Sequence, residues 1–280
     1  MSILSNSSCR IIAVVNQKGG VGKTTTTVNL ATAMAAVGKR VLVVDADPQG
    51  NASTGFGVPR SDRGVGCYEL MFDGLSVEDV AVSTVIPGLS VITSSADLAG
   101  AEIQLVTTER REYRMKEALD RSAKDYDIVF IDCPPSLNLI TLNALIASNA
   151  VLVPLQPEFY ALEGMTSLLQ TIEAVRARFN PQLEIQGVVL TMYDKRNSLS
   201  DAVARDVRAY FGDKVYETVI PRNVRVSEAP SYGKPVLLYD LKCPGSRAYM
   251  QLASEVLKRE FGSTSDALGS GTGSTIKEAI

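Results

Sequence analysis

The segment Gln17-Lys18-Gly19-Gly20-Val21-Gly22-Lys23-Thr24-Thr25 most restricts what this chain can fold into. An apolar run, Ile11 to Val15, precedes it, and a helix-compatible stretch follows. Strand, glycine loop and helix in that order make a cradle for phosphate, a P-loop. Glycines let backbone N–H groups close around anionic oxygens. A helix beginning near Gly22 aims its positive dipole end at them. Lys23 is placed for β- and γ-phosphates, and the Thr24 hydroxyl for Mg²⁺. Gly19, Gly20, Val21, Gly22 and Thr25 complete the nucleotide-binding loop.

The loop departs from its usual pattern. Gln17 stands where a glycine is customary, and a second lysine, Lys18, follows it. Two lysines supply more positive charge than one bound nucleotide requires.

The remaining chain predicts a sheet to carry this loop. Strands are expected over Ile11–Asn16, Arg40–Asp45, Leu89–Thr93, Asp127–Asp132, Ala150–Leu155, Glu184–Thr191 and Val215–Ile220. Helices are expected over Lys23–Val37, Arg110–Ser122, Leu139–Ala147, Glu163–Phe179, Ser200–Phe211 and Arg247–Phe261. Apolar runs without polar alternation mean strands covered on both faces, hence a mainly parallel sheet. The alternation predicts a doubly wound α/β fold with helices on both faces. One domain is expected over 10–262, after a flexible N-terminus at 1–9. Residues 263–280, rich in Gly, Ser and Thr, read as a disordered tail.

Two of the apolar runs end in carboxylates. Val41-Leu42-Val43-Val44 leads into Asp45-Ala46-Asp47-Pro48. In open α/β sheets ligands bind at the carboxyl ends of strands, so these acids lie beside the loop if the strands are neighbours. A carboxylate there can orient or activate water, or hold Mg²⁺ through water. Asp47 before Pro48 equally reads as a turn opener. Ile128-Val129-Phe130-Ile131-Asp132 repeats the design, and Asp132 is placed on the Mg²⁺ side of the nucleotide. Pro134-Pro135 makes a stiff loop next to it, able to respond to a γ-phosphate.

Composition narrows the chemistry. The 280 residues contain no histidine, which excludes histidine general-base catalysis. The four cysteines form no Cys-x-x-Cys pair, so zinc sites of the usual kinds are not expected. Isolated thiols point to the cytoplasm, and Cys133 reads as a small core residue. No apolar run approaches the ~20 residues of a spanning helix, and Met1–Arg10 does not read as a secretory leader. A net charge of −3 draws no nucleic acid by itself. Any such binding needs a local patch. Lys195, Arg196, Arg205, Arg208, Lys214, Arg222, Arg225 and Lys234 concentrate in the C-terminal third.

The run Lys18-Gly19-Gly20-Val21-Gly22-Lys23-Thr24-Thr25-Thr26, with Asp45-Ala46-Asp47-Pro48-Gln49-Gly50-Asn51, resembles the deviant Walker A class of P-loop NTPases. Within that class the chain is similar to ParA/Soj chromosome-partitioning ATPases over about residues 10–260. Asp132-Cys133-Pro134-Pro135-Ser136, Phe159-Tyr160-Ala161-Leu162-Glu163-Gly164 and Ile220-Pro221-Arg222-Asn223-Val224-Arg225 support this. The resemblance implies binding of ATP with Mg²⁺ and an ATP-sandwich homodimer. It implies that Lys18 reaches the partner's phosphates, that Asp47 activates water and that Pro221 and Asn223 lie beside adenine. Arg196 and Arg225 match family positions that bind double-stranded DNA without sequence preference. It further implies stimulation by a ParB-type centromere-binding protein, segregation of chromosome origins and a nucleoid-associated place in the cytoplasm.

Three other readings share the loop. A MinD-type membrane-cycling cell-division ATPase needs a basic amphipathic C-terminal helix, and the stretch from Gly262 is polar and glycine-rich instead. An iron–sulfur ATPase needs bridging cysteines, for which Cys67 and Cys133 lack the context. A biosynthetic ligase needs a small-molecule pocket. No membrane partner is expected.

Overall fold

The protein is described here by a computed structural model covering residues 9–262. The expectations for the extreme N-terminus and for the tail lie outside the described residues. Seven strands form one sheet: β1 (Arg10–Val14), β2 (Val41–Asp45), β3 (Ala81–Ser83), β4 (Leu89–Ile92), β5 (Ile128–Asp132), β6 (Ala150–Leu155) and β7 (Glu184–Leu190). Their order is β3-β4-β2-β5-β1-β6-β7. Every neighbouring pair is parallel except β3 with β4.

The helices are α1 (Lys23–Ala36), α2 (Asn51–Gly55), α3 (Cys67–Phe72), α4 (Val77–Val80), α5 (Ala101–Thr107) and α6 (Arg114–Ser122). They continue with α7 (Leu139–Ala147), α8 (Ala161–Arg178), α9 (Ser198–Phe211), α10 (Val224–Glu228), α11 (Val236–Tyr239) and α12 (Pro244–Phe261). The fold is α/β with a mainly parallel sheet, as its uninterrupted apolar runs require.

Strand periodicity divides the core between the two faces. Ile12, Val14, Val43 and Phe130 pack with Leu30 and Met34 of α1 and Tyr249, Leu252 and Val256 of α12. Their neighbours Ala13, Val44, Val129 and Ile131 pack on the other face with Leu119, Ile140, Leu145 and Leu168 of α6, α7 and α8. Helix α1 is buried along nearly its whole length despite its threonines. Thr27, Asn29 and Thr32 donate to the carbonyls of Lys23, Thr25 and Val28, four residues back, so none is stranded in the core.

Val215–Ile220 does not form the expected strand. It runs beside β7, where Tyr216 and Ile220 donate to the carbonyls of Val188 and Leu190. Between them the N–H groups of Glu217 and Thr218 turn to the Glu255 carboxylate of α12, both at 2.9 Å. A ladder cannot propagate once a side chain takes its donors. Helix α6 begins at Arg114 rather than Arg110, because Arg110 sits at φ 51°, in the left-handed region that ends regular helix. The sequence reading also passed over β3 and the short helices α2 to α5, α10 and α11.

Candidate functional site

The carboxyl ends of three strands meet at the middle of the sheet. Asp132 is in register with Asp45 across β2–β5 and with Val14 across β1–β5. The glycine loop leaves β1 at this point. The strand carrying Asp45 is not the neighbour of β1 that the sequence reading required: β5 lies between them, so Asp132 stands directly beside the loop strand and Asp45 one strand further away, at the same end of the sheet.

Backbone geometry shapes the loop. Gly20 and Gly22 lie at φ +75° and +89°, where a Cβ would be strained. Gly22 stands at the N-cap of α1 and brings no side chain to the first-turn N–H groups, which leaves them for an anion. The loop is anchored on both sides. Asn16 Nδ2 donates to the Pro154 carbonyl at 2.8 Å, and its Oδ1 accepts from Lys18 N at 3.0 Å. Thr191 Oγ1 donates to the Val21 carbonyl at 2.7 Å. Asn16 was not singled out from sequence, although a polar residue closing an apolar strand before such a loop was a usable sign.

The two lysines occupy different settings. Lys23 is buried and donates to the Lys18 carbonyl at 3.1 Å. Burial lowers its pKa, opposed first by the nearby Asp132 carboxylate. The Lys18 side chain is half-exposed and forms an ion pair with Glu158 of its own chain. Phe159 and Tyr160 follow at 73% and 64% exposure, so they are not core residues.

The carboxylates form a graded series. Asp132 is fully buried and accepts from Thr24 Oγ1 at 2.7 Å and Thr27 Oγ1 at 3.0 Å. Burial, and then the neighbouring charge of Asp45, push its carboxyl up to about 8. Asp45 accepts from Ser53 N at 2.7 Å and Ser53 Oγ at 2.6 Å, while its Oδ1 meets no donor. Burial raises it to about 6. Asp47 is buried at the crevice and accepts from Gln49 N at 2.9 Å.

Two buried carboxyls whose ionisation burial opposes would both ionise only with a cation beside them. The donor set fits Mg²⁺: one hydroxyl, Thr24, already turned toward a buried carboxylate, Asp132. Among the described residues no group of three or more His, Cys, Asp or Glu gathers into a metal cage. Mg²⁺ typically needs none, since it keeps waters and takes phosphate oxygens as ligands. Cys133 is buried with its thiol pKa pushed well up, mainly by burial, so it packs and does not react.

The Thr191 anchor brings the end of β7 to the loop, and the next segment lies alongside. Tyr193 bridges to Pro221. Asn223 Oδ1 accepts from Arg225 N and Val226 N at 3.0 and 3.4 Å, capping α10. The expected adenine-side pair, Pro221 and Asn223, thus sits on the strand-end side of the sheet, one segment beyond the loop. Arg196 is 89% exposed, on the turn after β7, and Arg225 lies on α10. Arg208 is engaged instead with the Glu217 carbonyl at 3.3 Å, and Arg205 with that of Asp201 at 3.4 Å.

Comparison with known proteins places this geometry. The AAA domain family matches residues 9–185. The chain is 62% identical to the chromosome partitioning protein ParA of Caulobacter vibrioides strain NA1000, over 92% of this chain and 97% of that one. It is 53% identical to the sporulation initiation inhibitor protein Soj of Bacillus subtilis strain 168, over 88% of this chain and 98% of that protein. A solved structure of cobyrinic acid a,c-diamide synthase from Mycobacterium smegmatis, bound to an ATP analog and magnesium, superposes with a TM-score of 0.78. It has 37% identity and covers 89% of this chain and 95% of the other. By its loop, its paired strand-end aspartates and these likenesses, the chain belongs to the ParA/Soj family of chromosome-partitioning ATPases.

Proposed function

We propose that the protein binds and hydrolyses ATP with Mg²⁺, that ATP joins two copies face to face, and that the dimer holds double-stranded DNA without reading its sequence. A ParB-type protein then accelerates hydrolysis and releases the dimer, moving chromosome origins over the nucleoid. The observation that carries this reading is the contrast between two lysines of one loop. Lys23 is enclosed and serves its own chain's nucleotide, while Lys18 stands half-exposed at the rim beside two exposed aromatics.

Each residue has a task in that cycle. The loop amides and Lys23 hold the β- and γ-phosphates. Thr24 and Asp132 would hold Mg²⁺, which when bound neutralises charge on the phosphate oxygens. Asp47 orients the attacking water and takes its proton. Lys18 leaves Glu158 and stabilises the charge spreading over the partner's transferring phosphoryl group, as an arginine finger does. Dimerisation then depends on ATP, because only a triphosphate gives Lys18 a partner across the interface.

The test is DNA binding with ATP, ADP or no nucleotide, titrated with salt on two unrelated duplexes. Affinity should appear with ATP, fall steeply with salt and differ little between duplexes. Arg225→Glu, and more weakly Arg196→Glu, should lower affinity and flatten the salt slope by about one per lost contact while ATP-driven dimers persist. Equal binding without nucleotide, or strong sequence preference, overturns the reading. Recruitment to anionic vesicles in place of DNA would replace it with the MinD-type alternative. No helix among the described residues is long and apolar enough to cross a membrane.

A further inference from the structure

Both arginines that the family resemblance assigns to DNA are already held by carboxylates of their own chain. Arg196 Nε and Nη2 donate to the two oxygens of Asp194, each at 3.1 Å. Arg225 Nη1 donates to Glu228 Oε2 at 3.0 Å, and its Nε lies 3.6 Å from Asp240. The two clamps belong to one surface. Tyr193 N donates to the Ile220 carbonyl at 3.0 Å and Arg222 N to the Tyr193 carbonyl at 3.1 Å, so the Asp194–Arg196 turn runs beside the segment entering α10. Arg196 thus faces Asp194, and Arg225 faces Glu228 and Asp240.

We infer that Asp194, Glu228 and Asp240 are built-in competitors of DNA phosphate, which lower the positive charge of the DNA face of a single protomer and make binding depend on two faces acting together. The inference rests on the DNA-binding reading above. A carboxylate fills the same planar fork of a guanidinium that a phosphate would fill. Both guanidinium groups are exposed and their carboxylate partners are partly exposed, a setting in which ion pairs are weak, so phosphate can displace each carboxylate. The displaced carboxylate stays tethered nearby and repels the phosphate that replaced it. The penalty offsets part of the gain in one protomer. Two faces at fixed spacing recover affinity, because the second engagement becomes intramolecular. The acids therefore convert dimerisation into a sharp condition for DNA binding, where a bare basic patch would bind at any nucleotide state.

The experiment uses the full chain and a short labelled duplex, with ATP, ADP and no nucleotide. The variant is Asp194→Asn with Glu228→Gln and Asp240→Asn, whose amides keep the local acceptor oxygens. A control, Glu78→Gln with Asp120→Asn and Asp125→Asn, changes net charge equally at exposed positions on or beside α4 and α6. ATP affinity equal to wild type confirms that each variant is folded. The clamp variant should bind DNA on the order of ten-fold more tightly with ATP and show binding without nucleotide, while the control stays within about two-fold of wild type. Unchanged affinity in the clamp variant, or an equal rise in the control, overturns the inference while wild-type DNA binding with ATP stands. If wild type itself fails to bind DNA with ATP, the function reading fails, and this inference with it.

Discussion

Replacing Lys23 by Met removes one ammonium from the loop and nearly keeps the volume of the stem. The side chain is 7% exposed, and its Nζ makes one hydrogen bond, to the Lys18 carbonyl at 3.1 Å. An ammonium has three donors, so two are left for phosphate oxygens. Each charge-assisted bond contributes about 1.5–3 kcal/mol. Two together come to at least about 3 kcal/mol, which weakens ATP binding more than about a hundred-fold. The effect on the empty protein is far smaller. Losing the bond to Lys18 costs about 1 kcal/mol, and this is offset because Met carries no charge to desolvate. Burial already lowers the Lys23 pKa, the direction expected of an ammonium short of solvent. Titration calorimetry with ATP and Mg²⁺, beside a urea unfolding curve, separates the two effects. ATP affinity within ten-fold of wild type at an unchanged unfolding midpoint would show that this ammonium does not face the phosphates.

Lys18→Ala should bind nucleotide within a few-fold of wild type, because its side chain points to Glu158 at the rim, yet form no ATP-dependent dimer and turn over no ATP. Light scattering and phosphate release check this, and normal dimers with normal turnover refute the role across the interface. Asp47→Ala should leave binding and dimerisation in place and stop phosphate release, since its removal takes the group that orients water and none that holds phosphate. Retained hydrolysis would move that task elsewhere in the crevice. Gly187→Ala, away from the nucleotide, should destabilise the fold by about 1–3 kcal/mol. Its Cβ would fall 2.5 Å from Tyr216 Cε2 and 2.8 Å from Arg259 Nη1 in the buried part of β7. For a chain of this size that is a melting shift of roughly 2–4 °C per kcal/mol, and a melt coincident with wild type would show that Tyr216 moves aside freely.

The parts of this molecule that were legible in the sequence are those whose cause is local. Ile128–Asp132 reads as a buried strand with an acid at its end because both properties belong to five adjacent residues. The glycine loop reads likewise, since left-handed backbone at Gly20 and Gly22 is a demand of the loop itself. What escaped has a partner far along the chain. Lys18 meets Glu158, Asn16 meets Pro154, and Glu217 and Thr218 lose their strand to Glu255. Between these extremes lie the clamps on Arg196 and Arg225. Asp194 stands two residues before one and Glu228 three residues after the other, near enough to be read, while Asp240 is brought in by the fold. A count of basic residues finds the proposed DNA face but overstates its charge. The site itself shows the same division. Each acidic run could be read alone, but the pairing of Asp45 with Asp132 exists only because β2 and β5 align residue for residue from Val41 opposite Ile128. That register sets two carboxylates side by side in the core, beneath the Thr24 and Thr27 hydroxyls. A crevice so arranged ionises fully only beside a cation, and the amides of α1 that open onto it favour an anion. A magnesium-bound triphosphate meets both demands at once, which is why loop and acids are found at the same end of the sheet.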